Sequence, residues 1–144
     1  MSLAFLYPGQ GSQSVGMGAE LFDRFPDCVE MAEQELGYSL ARLCLDDPNG
    51  KLAQTEFTQP ALYLVSYLQA RALLESGCSP SSAAGHSVGE FAALATAGAM
   101  SFPDGLRMVA KRGEIMSKVR GGGMAAVIGL EETLIRETLA SASA

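Results

Sequence analysis

A serine flanked by glycines at residues 85–89, GHSVG, is the feature that most limits how this chain of 144 residues can fold. Small side chains precede it at 82–84 and an apolar run follows it. A strand, a G-x-S-x-G turn and a helix form the layout of a nucleophile elbow. Ser87 would then stand at a helix N-terminus, where the N–H of Val88 can stabilise an oxyanion.

Gly85 and Gly89 have a structural role in this interpretation. Without a β-carbon, each lets a neighbouring segment approach where a larger residue would clash. A plain strand-to-helix turn without chemistry is the alternative, because short segments rich in glycine and serine also occur in ordinary loops.

His86 is the only histidine in the sequence and therefore the only candidate base of the usual type for Ser87. A general base must reach hydrogen-bond distance of the hydroxyl that it deprotonates, whereas successive side chains on a tight turn diverge. We therefore expect His86 to pack behind the turn. Elbow enzymes carry their histidine downstream of the serine, so we expect the base outside these residues.

The remaining pattern alternates strands and helices. An apolar strand at 3–7 ends at Pro8-Gly9, and a helical pattern over 19–45 is broken at Pro26 and Gly37. Further expected elements are a helix from Pro60 to Gly77, a helix to about Arg120 that a capping box at Ser101–Asp104 opens, a strand over Met124–Leu130 and a helix over Glu131–Ala142. The sequence predicts an α/β fold with a parallel sheet.

A glycine-rich loop, GQGSQSVGMG, follows the first strand at 9–18. It lacks the third glycine of the dinucleotide fingerprint, and no Lys-Ser or Lys-Thr pair follows Gly11–Gly16 as a phosphate-binding loop requires. The loop can instead supply a second oxyanion contact beside Ser87, or it can be an ordinary surface loop.

Composition and charge exclude several classes of partner. A net charge of −6 argues against a nucleic-acid-binding surface. Cys28, Cys44 and Cys78 fit neither a disulfide framework nor a zinc site, so free thiols and no metal are expected. The first ten residues lack the pattern of a signal peptide and no window is long enough to span a membrane. We expect a cytoplasmic protein with no membrane partner.

Five motifs together resemble one known family. They are PGQGSQ at 8–13, TQPAL at 58–62, GHSVGE at 85–90, KRGEIM at 111–116 and GGGMAAVIGL at 121–130. In this order and at these spacings they are similar to the malonyl-CoA:acyl carrier protein transacylase family, including the acyltransferase domains of polyketide synthases. The resemblance covers essentially the whole chain.

The resemblance implies roles for four residues. Ser87 would take the acyl group from coenzyme A as an ester and pass it to the phosphopantetheine thiol of an acyl carrier protein. Gln10 and the N–H of Val88 would form the oxyanion hole, and Arg112 would pair with the free carboxylate of the malonyl group. Malonyl-CoA is then the substrate, with no separate cofactor.

The resemblance also implies an architecture. Residues 1–123 would belong to a hydrolase-like core, and 124–144 would begin a ferredoxin-like subdomain that the chain leaves incomplete. The catalytic histidine of the family follows that subdomain. The missing C-terminal half would therefore be needed, either in the same chain or as a companion chain.

Helical spacing gives separate information on Arg112. Its neighbours one turn away are Met108, Val109, Ile115 and Met116, so we expect the guanidinium on an inward-facing stripe. A buried cation needs a partner. That partner can be an internal carboxylate or a dicarboxylic acyl group held by the guanidinium fork.

Basic residues gather on the same helix at Arg107, Lys111, Lys118 and Arg120. Coenzyme A and carrier proteins are anionic, so this patch can attract either of them. A solvated helix face without a partner is the alternative.

Two other functions remain open at this point. The same scaffold can act as an acyl hydrolase, in which water takes the acyl group. It can also be a non-catalytic fragment that only docks a carrier protein.

Overall fold

The computed structural model describes residues 2–121 and 127–142. Strand β1 (Ala4–Tyr7) and strand β2 (Ser82–Gly85) pair in parallel, with Tyr7 opposite Gly85. Parallel strands end at the same edge, so the glycine-rich loop after β1 and the serine turn after β2 leave the sheet side by side. The predicted α/β class and parallel pairing are confirmed.

The described residues also form helices. They are α1 (Ala19–Phe22), α2 (Pro26–Leu36), α3 (Leu40–Asp46), α4 (Thr55–Glu75), α5 (Gly89–Thr96), α6 (Phe102–Ser117) and α7 (Glu132–Ala142). Gly37 ends α2 in the left-handed region at φ 75°, where glycine is unstrained. The Ser101 hydroxyl accepts a hydrogen bond from the N–H of Asp104 and caps α6, as the sequence predicts.

Helix α4 begins five residues earlier than the sequence predicts. The prediction used Pro60 as the first helical residue, since proline favours that position. In the structure the carbonyl oxygen of Gln54 accepts from the N–H groups of Phe57 and Thr58, both at 2.8 Å, so the helix is already formed there. Pro60 then lies inside the helix.

The core is built around α4, which packs on α5 and α6. Tyr63 is fully buried, its ring stacks 5.5 Å from that of Phe102, and its hydroxyl donates to the Phe102 carbonyl at 3.0 Å. Gly105 of α6 has no β-carbon where one would lie 2.2 Å from the Tyr63 hydroxyl oxygen. The absence of a β-carbon at Gly105 lets α6 approach α4 closely enough for both helices to contribute to the site described below.

The strand predicted over Met124–Leu130 is not formed over 127–130, and its first residues lie outside the described part of the chain. A strand needs a partner for its backbone hydrogen bonds, and the described residues provide none here. Helix α7 has no buried residue. The division at residue 123 stays a prediction.

The predicted free thiols are present, with Cys28 and Cys44 buried and Cys78 partly buried. In the two ranges that the structure covers, no helix combines the length and the apolar character needed to cross a bilayer.

Candidate active site

Ser87 lies on the tight turn between β2 and α5. Its φ of 56° is in the left-handed region, which non-glycine residues rarely adopt and which carries strain of about 1–3 kcal/mol. The N–H of His86 donates to the Tyr7 carbonyl at 2.9 Å, and the N–H of Gly89 donates to the His86 carbonyl at 3.0 Å. These bonds hold the turn against the end of β1.

The two glycines of the turn are required by close backbone contacts. A β-carbon on Gly85 would lie 2.1 Å from the carbonyl carbon of Gly89. One on Gly89 would lie 2.5 Å from the carbonyl oxygen of Tyr7. Both obstacles are backbone atoms and cannot rotate away, so no larger residue fits at either position.

Arg112 of α6 reaches the nucleophile candidate directly. Its Nη2 donates to the Ser87 Oγ at 2.9 Å and its Nη1 donates to the Gln59 Oε1 at 2.8 Å. Among the described residues it forms no ion pair with a carboxylate. The sequence left two partners open for Arg112, an internal carboxylate or a substrate carboxylate. No carboxylate in this part of the chain is the partner.

The helical stripe around Arg112 is only partly inward. Val109 is fully buried, but Met108 and Ile115 are 51% and 55% exposed and Met116 is 38% exposed. Of the expected inward-facing stripe only Val109 is buried, because α6 packs on α4 through the face that carries Gly105, Val109 and Gly113. Arg112 itself is half-buried, at the border between this face and solvent.

The glycine-rich loop lies against the serine turn. A β-carbon on Gly9 would meet the His86 Nδ1 at 2.4 Å. The next residue, Gln10, is exposed, and its side-chain Nε2 donates to the Thr55 Oγ1 at 3.1 Å. The loop therefore brings Gln10 beside the turn, with its side chain tied to the first turn of α4.

Val88 follows the serine and is 1% exposed. The backbone bonds of the turn use the N–H groups of His86, Gly89 and Glu90. Within the described ranges none uses the N–H of Val88, which is therefore available to an acceptor outside this part of the chain.

His86 contacts Gly9 rather than the serine hydroxyl. Its side chain is exposed, and the hydrogen-bond partner of the Ser87 Oγ within 2–121 and 127–142 is Arg112. That His86 packs behind the turn stays a prediction.

Gln59 is the site residue that the sequence prediction missed. It is fully buried, although it is polar, and it joins α4 to Arg112. The TQPAL motif contains it, and its spacing of one helical turn from Thr55 would have indicated a shared face had the start of α4 been placed correctly.

The basic patch on α6 is partly neutralised. Arg107 pairs with Glu35 at 3.0 Å and with Asp104 at 2.6 Å. Lys111 and Lys118 share a single carboxylate, that of Glu114. Arg120 donates to backbone carbonyls at its own end of the helix. The uncompensated charge therefore lies at the C-terminal end of α6.

No cluster of three or more His, Cys, Asp and Glu side chains among the described residues could hold a metal ion. That the site works without a metal stays a prediction.

Comparison with known proteins identifies the family. The family profile described as the acyl transferase domain matches residues 4–142. This chain belongs to that family.

The family assignment rests on relatives of substantial identity. The polyketide biosynthesis protein ThaF of Burkholderia thailandensis is 57% identical over 138 residues, which are 95% of this chain and 12% of ThaF. The polyketide biosynthesis malonyl CoA-acyl carrier protein transacylase BaeC of Bacillus velezensis is 49% identical over 138 residues, 95% of this chain and 48% of BaeC.

Solved structures of family members agree. A crystal structure of a malonyl CoA-acyl carrier protein transacylase from Burkholderia pseudomallei has a TM-score of 0.96 at 49% identity, covering 99% of this chain and 50% of that one. The chain thus spans about half the length of the transacylases that it matches, and the resemblance seen in its five motifs is confirmed.

Proposed function

We propose that this chain forms the nucleophile half of an acyltransferase that moves a malonyl group from coenzyme A to an acyl carrier protein. The observation that carries the proposal is the hydrogen bond of 2.9 Å between the Arg112 Nη2 and the Ser87 Oγ. It brings a permanent cation to the hydroxyl that would carry the acyl group. A malonyl ester on Ser87 has a free carboxylate, which this guanidinium can bind.

The reaction has two balanced steps. The Ser87 Oγ bonds to the thioester carbonyl carbon while a base takes the hydroxyl proton, and the C–S bond then breaks as the base passes this proton to the sulfur, which releases the thiol of coenzyme A. The phosphopantetheine thiol of the carrier protein then attacks the ester, its proton passes through the base, and the Ser87 hydroxyl is restored. Coenzyme A enters as part of the substrate, and no resident cofactor takes part.

The oxyanion of each tetrahedral intermediate needs donors near Ser87. We assign the N–H of Val88 and the loop residue Gln10 to this role. The free Val88 N–H at the start of α5 and the position of the loop against the turn support the assignment. The turn that displays Ser87 also supports a hydrolase-like core for the complete protein.

The general base is assigned to a histidine beyond these 144 residues. His86 is the only histidine here, and its ring lies against Gly9. BaeC, of which this chain covers 48%, is about twice as long, and a protein of that length has room for the base and for a ferredoxin-like subdomain after residue 123. The missing half, in the same chain or as a companion, is thus a partner of this one.

An acyl carrier protein is the proposed acceptor. A solved relative named PlMCAT, with a TM-score of 0.86 and 37% identity over 98% of this chain and 48% of that one, is in complex with AntF, a type II polyketide synthase acyl-carrier protein. The uncompensated positive charge at the end of α6 suits an anionic acceptor.

The test is acylation of the full-length protein by malonyl-CoA. Intact mass followed by peptide mapping should find one malonyl group on Ser87, absent from Ser87→Ala, and adding a carrier protein should remove it as malonyl-carrier. Release only as free malonate would instead support a hydrolase, and no acylation at all would support a non-catalytic docking role.

A further inference from the structure

Gln59 is a buried polar residue whose side chain has one charged hydrogen-bond partner among the described residues, Arg112. It is 0% exposed, and buried polar atoms have to be hydrogen-bonded. Its Oε1 accepts from the Arg112 Nη1 at 2.8 Å, and its Nε2 lies 3.2 Å from the Met116 Sδ. Both ends of the amide are therefore committed, which fixes its orientation.

The arginine side chain is held between a group on a helix and a group on the serine turn. One guanidinium nitrogen contacts Gln59 of α4, and the other contacts the Ser87 hydroxyl on the turn before α5. The guanidinium is planar, so fixing Nη1 at a rigid buried position also fixes where Nη2 points. Gln59 thus determines the direction in which Arg112 presents its second nitrogen.

The neutrality of Gln59 is the decisive feature. A glutamate of the same shape could accept the same hydrogen bond, but it would form a salt bridge that cancels the charge of the guanidinium. An amide holds the side chain and leaves its charge available. Within the described ranges no carboxylate forms a hydrogen bond or an ion pair with Arg112. Its charge therefore stays uncompensated until an anion binds.

We propose that Gln59 is a positioning residue that makes the site selective for acyl groups with a free carboxylate, by orienting Arg112 without neutralising it. This inference rests on the proposed function, since it concerns which acyl groups Ser87 accepts. It adds a determinant on α4, a helix that carries neither the nucleophile nor the arginine.

The experiment compares loading of Ser87 from malonyl-CoA and from acetyl-CoA in the full-length protein. The acetyl group has no free carboxylate, so acetyl-CoA is the substrate whose acyl group cannot pair with Arg112. In Gln59→Glu the ratio of kcat/KM for malonyl-CoA to that for acetyl-CoA should fall by about tenfold to a hundredfold, the range for a hydrogen bond to a charged group. If Gln59 had only a structural role, its replacement would lower kcat/KM for both substrates by the same factor and leave the ratio unchanged.

Gln59→Met provides a second measurement if the glutamate variant does not fold. Methionine has a similar volume but only a weak thioether acceptor in place of the amide oxygen, so the KM for malonyl-CoA should rise by about tenfold. The matched control is Gln69→Glu, the same change at an exposed position of the same helix, which should leave the ratio as in the wild type.

The outcomes separate the two proposals. If wild-type Ser87 accepts neither acyl group, the proposed function fails. If the wild type loads malonyl and folded Gln59→Glu or Gln59→Met keeps the wild-type ratio, the role of Gln59 is overturned while the transferase function stands.

Discussion

The guanidinium of Arg112 on α6 lies 2.9 Å from the Ser87 hydroxyl, although Ser87 is on the turn before α5 and the two residues are 25 positions apart. The contact requires close packing of α6 on α4. At Gly113, next to Arg112, a β-carbon would lie 3.0 Å from the Cα of Glu56 and from the carbonyl oxygen of Thr55. The geometry of the site is thus set by packing between helices as much as by the serine turn.

Replacing Arg112 should remove the preference for malonyl. Arg112→Ala is expected to lower kcat/KM for malonyl-CoA by about tenfold to a hundredfold, because a charged hydrogen bond to the acyl carboxylate is lost. Quenched time courses of Ser87 acylation measure this change. Arg112→Lys should restore little, since one ammonium cannot contact Gln59 and the substrate as a planar fork does. Unchanged malonyl loading in Arg112→Ala would remove the carboxylate-binding role.

The serine turn should not tolerate a β-carbon. Gly85→Ala is expected to destabilise the protein by more than about 2 kcal/mol in denaturant unfolding and to abolish loading of Ser87, because its β-carbon would meet backbone of the turn. Gly37→Ala is the matched control: it has a positive φ of 75° but open space around it, so only backbone strain of about 1 kcal/mol is expected. Equal effects of the two variants would contradict the steric explanation.

The sequence was sufficient for features that depend on local pattern. The strand at 82–84 was predicted from the turn that follows it, despite the poor strand propensity of alanine. The cap of α6 was predicted from Ser101 and Asp104. Both follow from residues within a few positions of each other.

Features that depend on distant packing were not predictable from the sequence. Pro60 indicated a helix start, and that error left Gln59 outside the helix and hid its contact with Arg112. Similarly, helical spacing gave four apolar neighbours to Arg112, but it could not tell which of them α4 covers. Only the packing of α6 on α4 decides both.

The buried thiol of Cys44 should resist alkylation. Burial raises its pKa to about 12, so it stays protonated and unreactive over the neutral and mildly alkaline range. In the unfolded chain the thiol ionises at its usual pKa, so this group contributes stability below about pH 8.5 that is lost as pH rises from there through the folded value. Iodoacetamide labelling at pH 8 with peptide mapping should modify the partly exposed Cys78 first. Rapid labelling of Cys44 under native conditions would contradict its burial.

The 144 residues expressed alone should transfer malonyl to a carrier protein slowly. Their single histidine contacts Gly9 instead of the serine hydroxyl, so no residue of the described part serves Ser87 as a histidine base. Strand β1 also leaves Leu6 78% exposed, which favours aggregation of the separate piece. Adding the C-terminal half of the protein as a second polypeptide should raise the rate. Rapid transfer by the purified piece, with intact mass excluding any second chain, would overturn this prediction.

Carrier-protein docking should depend on Arg120 much more than on Arg107. Arg107 is held by Glu35 and Asp104, so its charge is already compensated, whereas Arg120 contacts only backbone carbonyls among the described residues. Arg120→Ala should raise the KM for the carrier protein severalfold while leaving Ser87 loading from malonyl-CoA unchanged, and the effect should shrink with added salt because exposed charges are screened. Arg107→Ala is the matched control, since it removes the same type of side chain from α6 itself, whereas Arg120 lies just after the end of α6, and it should change the KM little. Equal effects of the two variants, or an effect of Arg120→Ala that does not depend on salt, would show that charge at the end of α6 does not guide docking.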